Sequence, residues 1–222
     1  MKPADIREVH RILMEDFHAN PAPIVDFIAT QGRDPFKILV ATLLSARARD
    51  QTTAHVVRDQ LFPVVRGFDD LRRLTLPEIE RLIFPVGFYH QKAKALHAMP
   101  DVVRDRFGGA IPDTVEALCE LPGVGRKTAN LVVALAFEKP AICVDIHVHR
   151  ITNRLGLVKT KTPLETEMAL RRLLPEDVWT TWNACFVSHG QRCCTPRRPK
   201  CDACRIRSFC NFPARVHCEK HT

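Results

Sequence analysis

The 222-residue sequence holds no run of about 18 apolar residues, so it offers no candidate membrane-spanning helix. Its first residues, MKPADIREVHRILMEDF, are charged and amphipathic and lack the apolar centre of a secretion signal. The chain is therefore expected in the cytoplasm. No stretch alternates apolar and polar residues as a half-buried strand does, and no segment repeats, which points to an all-α fold. The common glycine loops for nucleotides are missing too. A Walker A loop needs Gly directly before its Lys, where Arg126 stands. A dinucleotide fingerprint needs a preceding strand and a third glycine, where Thr128 stands.

What is present is positive charge, clustered cysteine and many helix signals. The formal net charge of +8 favours a polyanionic partner and says nothing of fold. Nine cysteines in a cytoplasmic chain should be reduced, so clustered ones suggest metal before disulfide. Cys193, Cys194, Cys201, Cys204 and Cys210 cluster near the end. Cys119, Cys143, Cys185 and Cys218 lie apart and read as small buried hydrophobes.

Ile6, Val9, Ile12, Leu13 and Phe17 recur at helical spacing over residues 4–18. Asp34-Pro35 opens a second helix that ends in the basic segment SARARD, Ser45 to Asp50. Gln51 to Leu61, a short helix opened by Leu76-Pro77-Glu78, and Gln91 to Phe107 follow. Gly108-Gly109 closes the last of these. Asp113 is expected to cap a short helix to Leu121, and Arg126 to Phe137 forms the next. Asp145 caps a helix that Gly156 closes, and Pro163 and Pro175 open two more.

The segment Leu121 to Gly125 joins two short helices, with glycines where the backbone must turn and approach something closely. The N–H groups at the start of the second helix, with its dipole, suit an anion. Such a helix–hairpin–helix binds DNA phosphates without reading sequence; a plain inter-helix turn is the alternative. Lys127 lies in the first turn of a helix whose residues from Leu131 to Phe137 are all apolar, so burial is expected. The opposing dipole, nearby Arg126 and partial desolvation should lower its pKa, and an amine so poised forms Schiff bases. A phosphate-contacting lysine is the alternative. Asp145 caps a helix in any case, and a carboxylate near that amine would also take its proton and stabilise positive charge on a sugar. His147 and His149 follow as phosphate or sugar contacts or as packed surface residues.

Cys194, Cys201, Cys204 and Cys210 read C-x6-C-x2-C-x5-C. Structural zinc sites usually have two short knuckles and this has one, whereas iron–sulfur clusters accept varied spacing. Chemistry alone leaves both open, and Cys193 could stand in for Cys194.

LPGVGRKTAN, followed eighteen residues after its Lys by the Asp of VDIHVHR, resembles the endonuclease III branch of the helix–hairpin–helix DNA glycosylases. The cysteine spacing resembles the same branch, and the likeness runs from about Asp34 to Cys210. It implies two helical lobes with a DNA-binding cleft between them. A six-helix lobe over 29–139 would carry the helix–hairpin–helix at 113–137. Residues 1–28 with 140–222 would form the second lobe, holding a 4Fe–4S cluster in the loop 194–210.

The resemblance further implies a DNA N-glycosylase/AP lyase that removes oxidised pyrimidines from duplex DNA and cleaves abasic sites by β-elimination. Lys127 would be the nucleophile, Asp145 its partner, and Cys194, Cys201, Cys204 and Cys210 the cluster ligands. DNA contacts are expected from Gly123, Val124, Gly125, Arg126 and Thr128, from His147, and from Arg197, Arg198 and Lys200 in a basic loop pinned by cysteines. Bacterial members of the family place a glutamine where Arg47 stands in SARARD. Arginine there fills the gap left by a flipped nucleotide or contacts phosphate, which opens the lesion range. A monofunctional mismatch or alkylated-base glycosylase, and a non-enzymatic iron–sulfur DNA-binding or redox-sensing protein, are the alternatives. Only a short basic tail follows Cys210, which argues against a mismatch-specific adenine glycosylase. The expected protein is a monomer, nucleoid-associated in the cytoplasm.

Overall fold

The structure, a computed structural model, describes residues 1–19 and 32–212. Among these residues every regular element is helical, as the sequence patterning implies. Among the described residues no helix is long and apolar enough to cross a membrane. The chain divides into two units. One ends at Ala141; the other combines the N-terminal helix with the chain from Ile142 onward. The expected boundary near residue 28 lies outside the described residues.

The middle unit is built around α2, Pro35–Ser45. Asp34 caps it by accepting from the N–H groups of Phe36 and Lys37, at 2.9 and 3.3 Å. Phe36 and every residue from Ile38 to Leu44 are buried, so this helix is enclosed on all sides and the others pack around it. They are α3 (Asp50–His55, prolonged as a π-helix over Val56–Leu61), α4 (Phe68–Arg73), α5 (Leu76–Ile83), α6 (Tyr89–Phe107), α7 (Val115–Leu118) and α8 (Arg126–Ala136). Gly108, left-handed at φ 63°, closes α6.

Two expectations change here. Thr114, not Asp113, caps α7: its Oγ1 accepts from Ala117 N–H at 3.3 Å. Asp113 is drawn off to Lys139 at 2.5 Å. The apolar stretch of α8 is only partly enclosed: Val132, Val133 and Ala134 are buried, while Leu131, Leu135, Ala136 and Phe137 are half-buried.

In the second unit α1 (Ile6–His18) pairs with α11 (Trp179–Arg192). Burial of Ile6, Val9 and Leu13 on α1 contributes roughly 1.5–3 kcal/mol each. Trp182 lies fully buried between Phe186 (ring centroids 4.5 Å apart) and His10 (5.9 Å). α9 (Ile146–Leu155) and α10 (Pro163–Leu173) complete the unit. Pro175 leads first into a short 3-10 turn, Glu176–Val178, and only then into α11.

Candidate functional site

Gly123 adopts φ 72°, and a Cβ there would stand 2.8 Å from Ala95 Cβ of α6. Both the backbone conformation and the close approach require glycine. Leu121 and Val124, on either side, are buried at 2 % and 6 % exposure, so the turn is clamped into the core. Gly125 N-caps α8 and has no side chain to lay over the first-turn N–H groups. Gly123, Gly125 and Lys127 are exposed, Arg126 is half-buried with Glu116 3.8 Å away, and Asn130 donates to the Arg126 carbonyl at 3.0 Å. Thr128 is buried and takes no part in this exposed face. Lys127 is exposed, so the chain itself does not supply the desolvation expected from the sequence.

A second exposed feature of the middle unit follows α2. Arg47 is left-handed at φ 54° and exposed. Lys92, buried on α6, donates to the carbonyls of Leu44 and Ala46 at 2.7 Å each and so fixes the end of α2 beneath Arg47. Burial pulls its ammonium down to about 8. On the other side Gly87 leaves room for the Arg47 carbonyl, which would stand 3.1 Å from a Cβ.

In the second unit Asp145 is 8 % exposed, and its Oδ1 accepts from the N–H groups of His147 and Val148, both at 2.9 Å. The residues leading to it, Ile142, Cys143 and Val144, are buried, and Asn183 donates to the Cys143 carbonyl at 3.3 Å. The carboxylate is therefore held by core packing on one side and by its own helix on the other. His147 sits against Gly190, where a Cβ would come within 2.4 Å of Nδ1. His149 turns inward and bonds Thr166 Oγ1 at 2.7 Å.

Further along α9, Arg150 donates to the carbonyls of Cys194 (2.8 Å) and Gly190 (3.3 Å). Arg154 donates to Cys194 Sγ (3.3 Å) and to the carbonyls of Thr195 and Pro196 (2.7 Å each). One helix thus carries the buried carboxylate at its start and grips the cysteine loop with its last two turns. Sequence reading did not single out these arginines, although they stand four apart on one helix face. Lys200 N–H closes the loop onto the Cys193 carbonyl at 2.9 Å, and Arg197, Arg198 and Lys200 are exposed on it.

Cys194, Cys201, Cys204 and Cys210 line one cavity together with Cys193 and His189. Burial pushes the Cys204 thiol up to about 12, so a thiolate there calls for a compensating cation. A single zinc ion would draw its sulfurs to about 3.8 Å of one another, given Zn–S bonds of about 2.3 Å in a tetrahedron. Among the described residues the compact group with ligand atoms within 4.8 Å is instead His189, Cys193 and Cys204. Among the described residues no three of the four spaced cysteines bring their sulfurs within 4.8 Å of one another, and an all-thiolate set with one short knuckle suits a polynuclear iron–sulfur cluster. Of the isolated cysteines, Cys143 and Cys185 are buried as expected. Cys119 is exposed, and Cys218 lies outside the described residues.

Residues 40–176 match the HhH-GPD superfamily base excision DNA repair protein family, and residues 194–210 match the iron-sulfur binding domain of endonuclease III. The second match starts on Cys194 and ends on Cys210, and on that ground the four spaced cysteines outrank the compact trio. The chain is 46 % identical over 179 residues to endonuclease III of Thermotoga maritima, covering 81 % of this chain and 84 % of that protein. It is 36 % identical over 178 residues to endonuclease III of Bacillus subtilis, covering 80 % and 81 %. A solved structure described as a non-covalent endonuclease III–DNA complex superposes with a TM-score of 0.86 at 30 % identity, covering 99 % of this chain and 100 % of that chain.

Proposed function

The chain belongs to the endonuclease III family of base excision DNA repair enzymes, and from that premise we propose that Lys127 and Asp145 perform its glycosylase and AP lyase chemistry on oxidised pyrimidines in duplex DNA. The observation that carries this reading is the placement of Lys127. It is an exposed amine in the first helical turn after a glycine hairpin that is clamped into the core.

The Lys127 amine, once it has given up its proton, attacks C1′ of the damaged nucleoside. The glycosidic C–N bond breaks, its electron pair leaves with the base, and the base takes up a proton. Ring opening gives an imine on Lys127. Loss of a C2′ proton then expels the 3′ phosphate, and water releases the lysine. Asp145 takes the proton that the amine must lose and opposes the positive charge building on the sugar. Gly123, Val124, Gly125 and Arg126 hold the strand by its phosphates, chiefly through backbone N–H groups, which tolerates the burial of Val124. Arg197, Arg198 and Lys200 add phosphate contacts from the cysteine loop, and His147 lies close along the chain to Asp145. Arg47 fills the gap left by the flipped nucleotide.

The enzyme carries a 4Fe–4S cluster, for which Cys194, Cys201, Cys204 and Cys210 are the proposed ligands. When bound, the cluster fixes the loop that bears the basic residues. The protein acts as a monomer.

Borohydride reduction during reaction with an abasic or thymine-glycol duplex should link the protein covalently to DNA, and Lys127→Gln should lose the link. Trapping that survives the substitution removes Lys127 as nucleophile. Base release by the wild type without strand scission would make the enzyme monofunctional.

A further inference from the structure

The cysteine cavity holds a fifth thiol that the proposed ligand set does not use. Cys193 lines the same cavity as the four spaced cysteines. Its sulfur, the sulfur of Cys204 and a ring nitrogen of His189 all lie within 4.8 Å of one another. The thiol donates to the Lys200 carbonyl at 3.4 Å, a weak bond for a weak donor. Its backbone, by contrast, is firmly held. The N–H groups of Cys193 and Cys194 both donate to the His189 carbonyl at 2.9 Å, and the Cys193 carbonyl accepts from Thr195 (3.0 Å) and Lys200 (2.9 Å). The two neighbouring thiols therefore leave one firmly bonded helix end and line one cavity.

We infer that Cys193 is a reserve ligand of the cluster, taking the iron that Cys194 holds whenever Cys194 is lost or modified. The inference rests on the assignment of Cys194, Cys201, Cys204 and Cys210 as ligands. In the exchange the Cys193 thiol gives its proton to solvent and its sulfur bonds the open iron. Nothing is oxidised or reduced. His189, which bonds Cys204 Sγ at 3.7 Å, is the competing group, and its nitrogen is the softer cation's poorer match.

The test uses the full chain purified anaerobically with its cluster, as wild type, Cys193→Ala, Cys194→Ala, Cys193→Ala/Cys194→Ala and Cys210→Ala. The readouts are iron, acid-labile sulfide, zinc and visible absorbance. Cys193→Ala should match the wild type, Cys194→Ala should keep most of its iron and sulfide, and the double variant should lose both. Cys210 has no neighbouring cysteine, so Cys210→Ala should lose them as well. The inference is overturned if Cys194→Ala falls to the level of the double variant. It is equally overturned if the double variant retains the cluster, which would point to His189, or if zinc replaces iron in Cys194→Ala. Retention of the cluster by Cys210→Ala would break the ligand assignment, while the comparison of Cys194→Ala with the double variant would still decide the role of Cys193. Cys194→Ser carries the same comparison should the alanine variant fail to fold.

Discussion

Replacing Gly123 by alanine should destabilise the middle unit through two separable effects. At φ 72° an L-residue pays about 1–2 kcal/mol against the left-handed backbone. The new Cβ also meets Ala95 Cβ at 2.8 Å, with Leu43 Cδ1 at 3.5 Å behind it. Overpacking of that kind in a clamped core adds about 1–3 kcal/mol, for a total of about 2–5 kcal/mol. Ala95 stands in the interior of α6, so Ala95→Gly alone should cost about 1 kcal/mol in helix propensity. In the double variant the clash disappears and the backbone term remains. The pair should therefore couple favourably by about 1–3 kcal/mol, read from urea midpoints at unchanged slope across the double-mutant cycle. Duplex affinity should fall with Gly123→Ala and recover in part when Ala95→Gly is added. Additivity of the two stability changes to within about 0.5 kcal/mol would refute the close approach of hairpin and helix.

Three further outcomes follow from the same geometry. Asp145→Asn keeps an equally good cap, so its melting temperature should stay near the wild type, while single-turnover base release falls about 100- to 10,000-fold. Unchanged base release would leave Asp145 a cap alone. Lys92 titrates near 8 in the native state against 10.5 ordinarily, so the unfolded chain binds more protons between those values. Stability of the wild type relative to Lys92→Met should then rise from pH 8 to 10.5, by up to about 3 kcal/mol; a flat difference in urea titrations contradicts the burial of its charge. Alanine at Arg197, Arg198 or Lys200 should each lower the slope of log K against log salt for duplex binding by about 1, and an unchanged slope removes that residue from the phosphate contacts.

The features legible in the sequence were those fixed by neighbours along the chain. Asp34 and Asp145 cap their helices because an acceptor two or three residues upstream of free N–H groups needs no tertiary help. Gly156, left-handed at φ 73°, closes α9 for an equally local reason. Asp113 failed as a cap because a lysine 26 residues away competes for its carboxylate, and nothing near it in sequence announces that. Lys92, Arg150 and Arg154 were missed on the same ground, since their partners are backbone carbonyls, which every residue has and no pattern distinguishes. The all-apolar run of α8 fixed its helical state but not how many of its sides find cover.

The pairing of α1 with α11 has a consequence for how the molecule is made. Arg7 reaches Asp177, His10 bonds Thr181 at 2.8 Å, and Arg205 bonds Glu15 and Asp16. A ribosome working at about 5–20 residues per second spends roughly ten to thirty seconds between releasing His18 and completing Trp179. Once Ala141 has been made, well before Trp179, the middle unit has all of its own residues and can fold. The apolar stripe of Ile6, Val9 and Leu13 must meanwhile wait without its lasting neighbour. The four spaced cysteines follow α11 in the chain, so cluster delivery comes only after both α1 and α11 have been made.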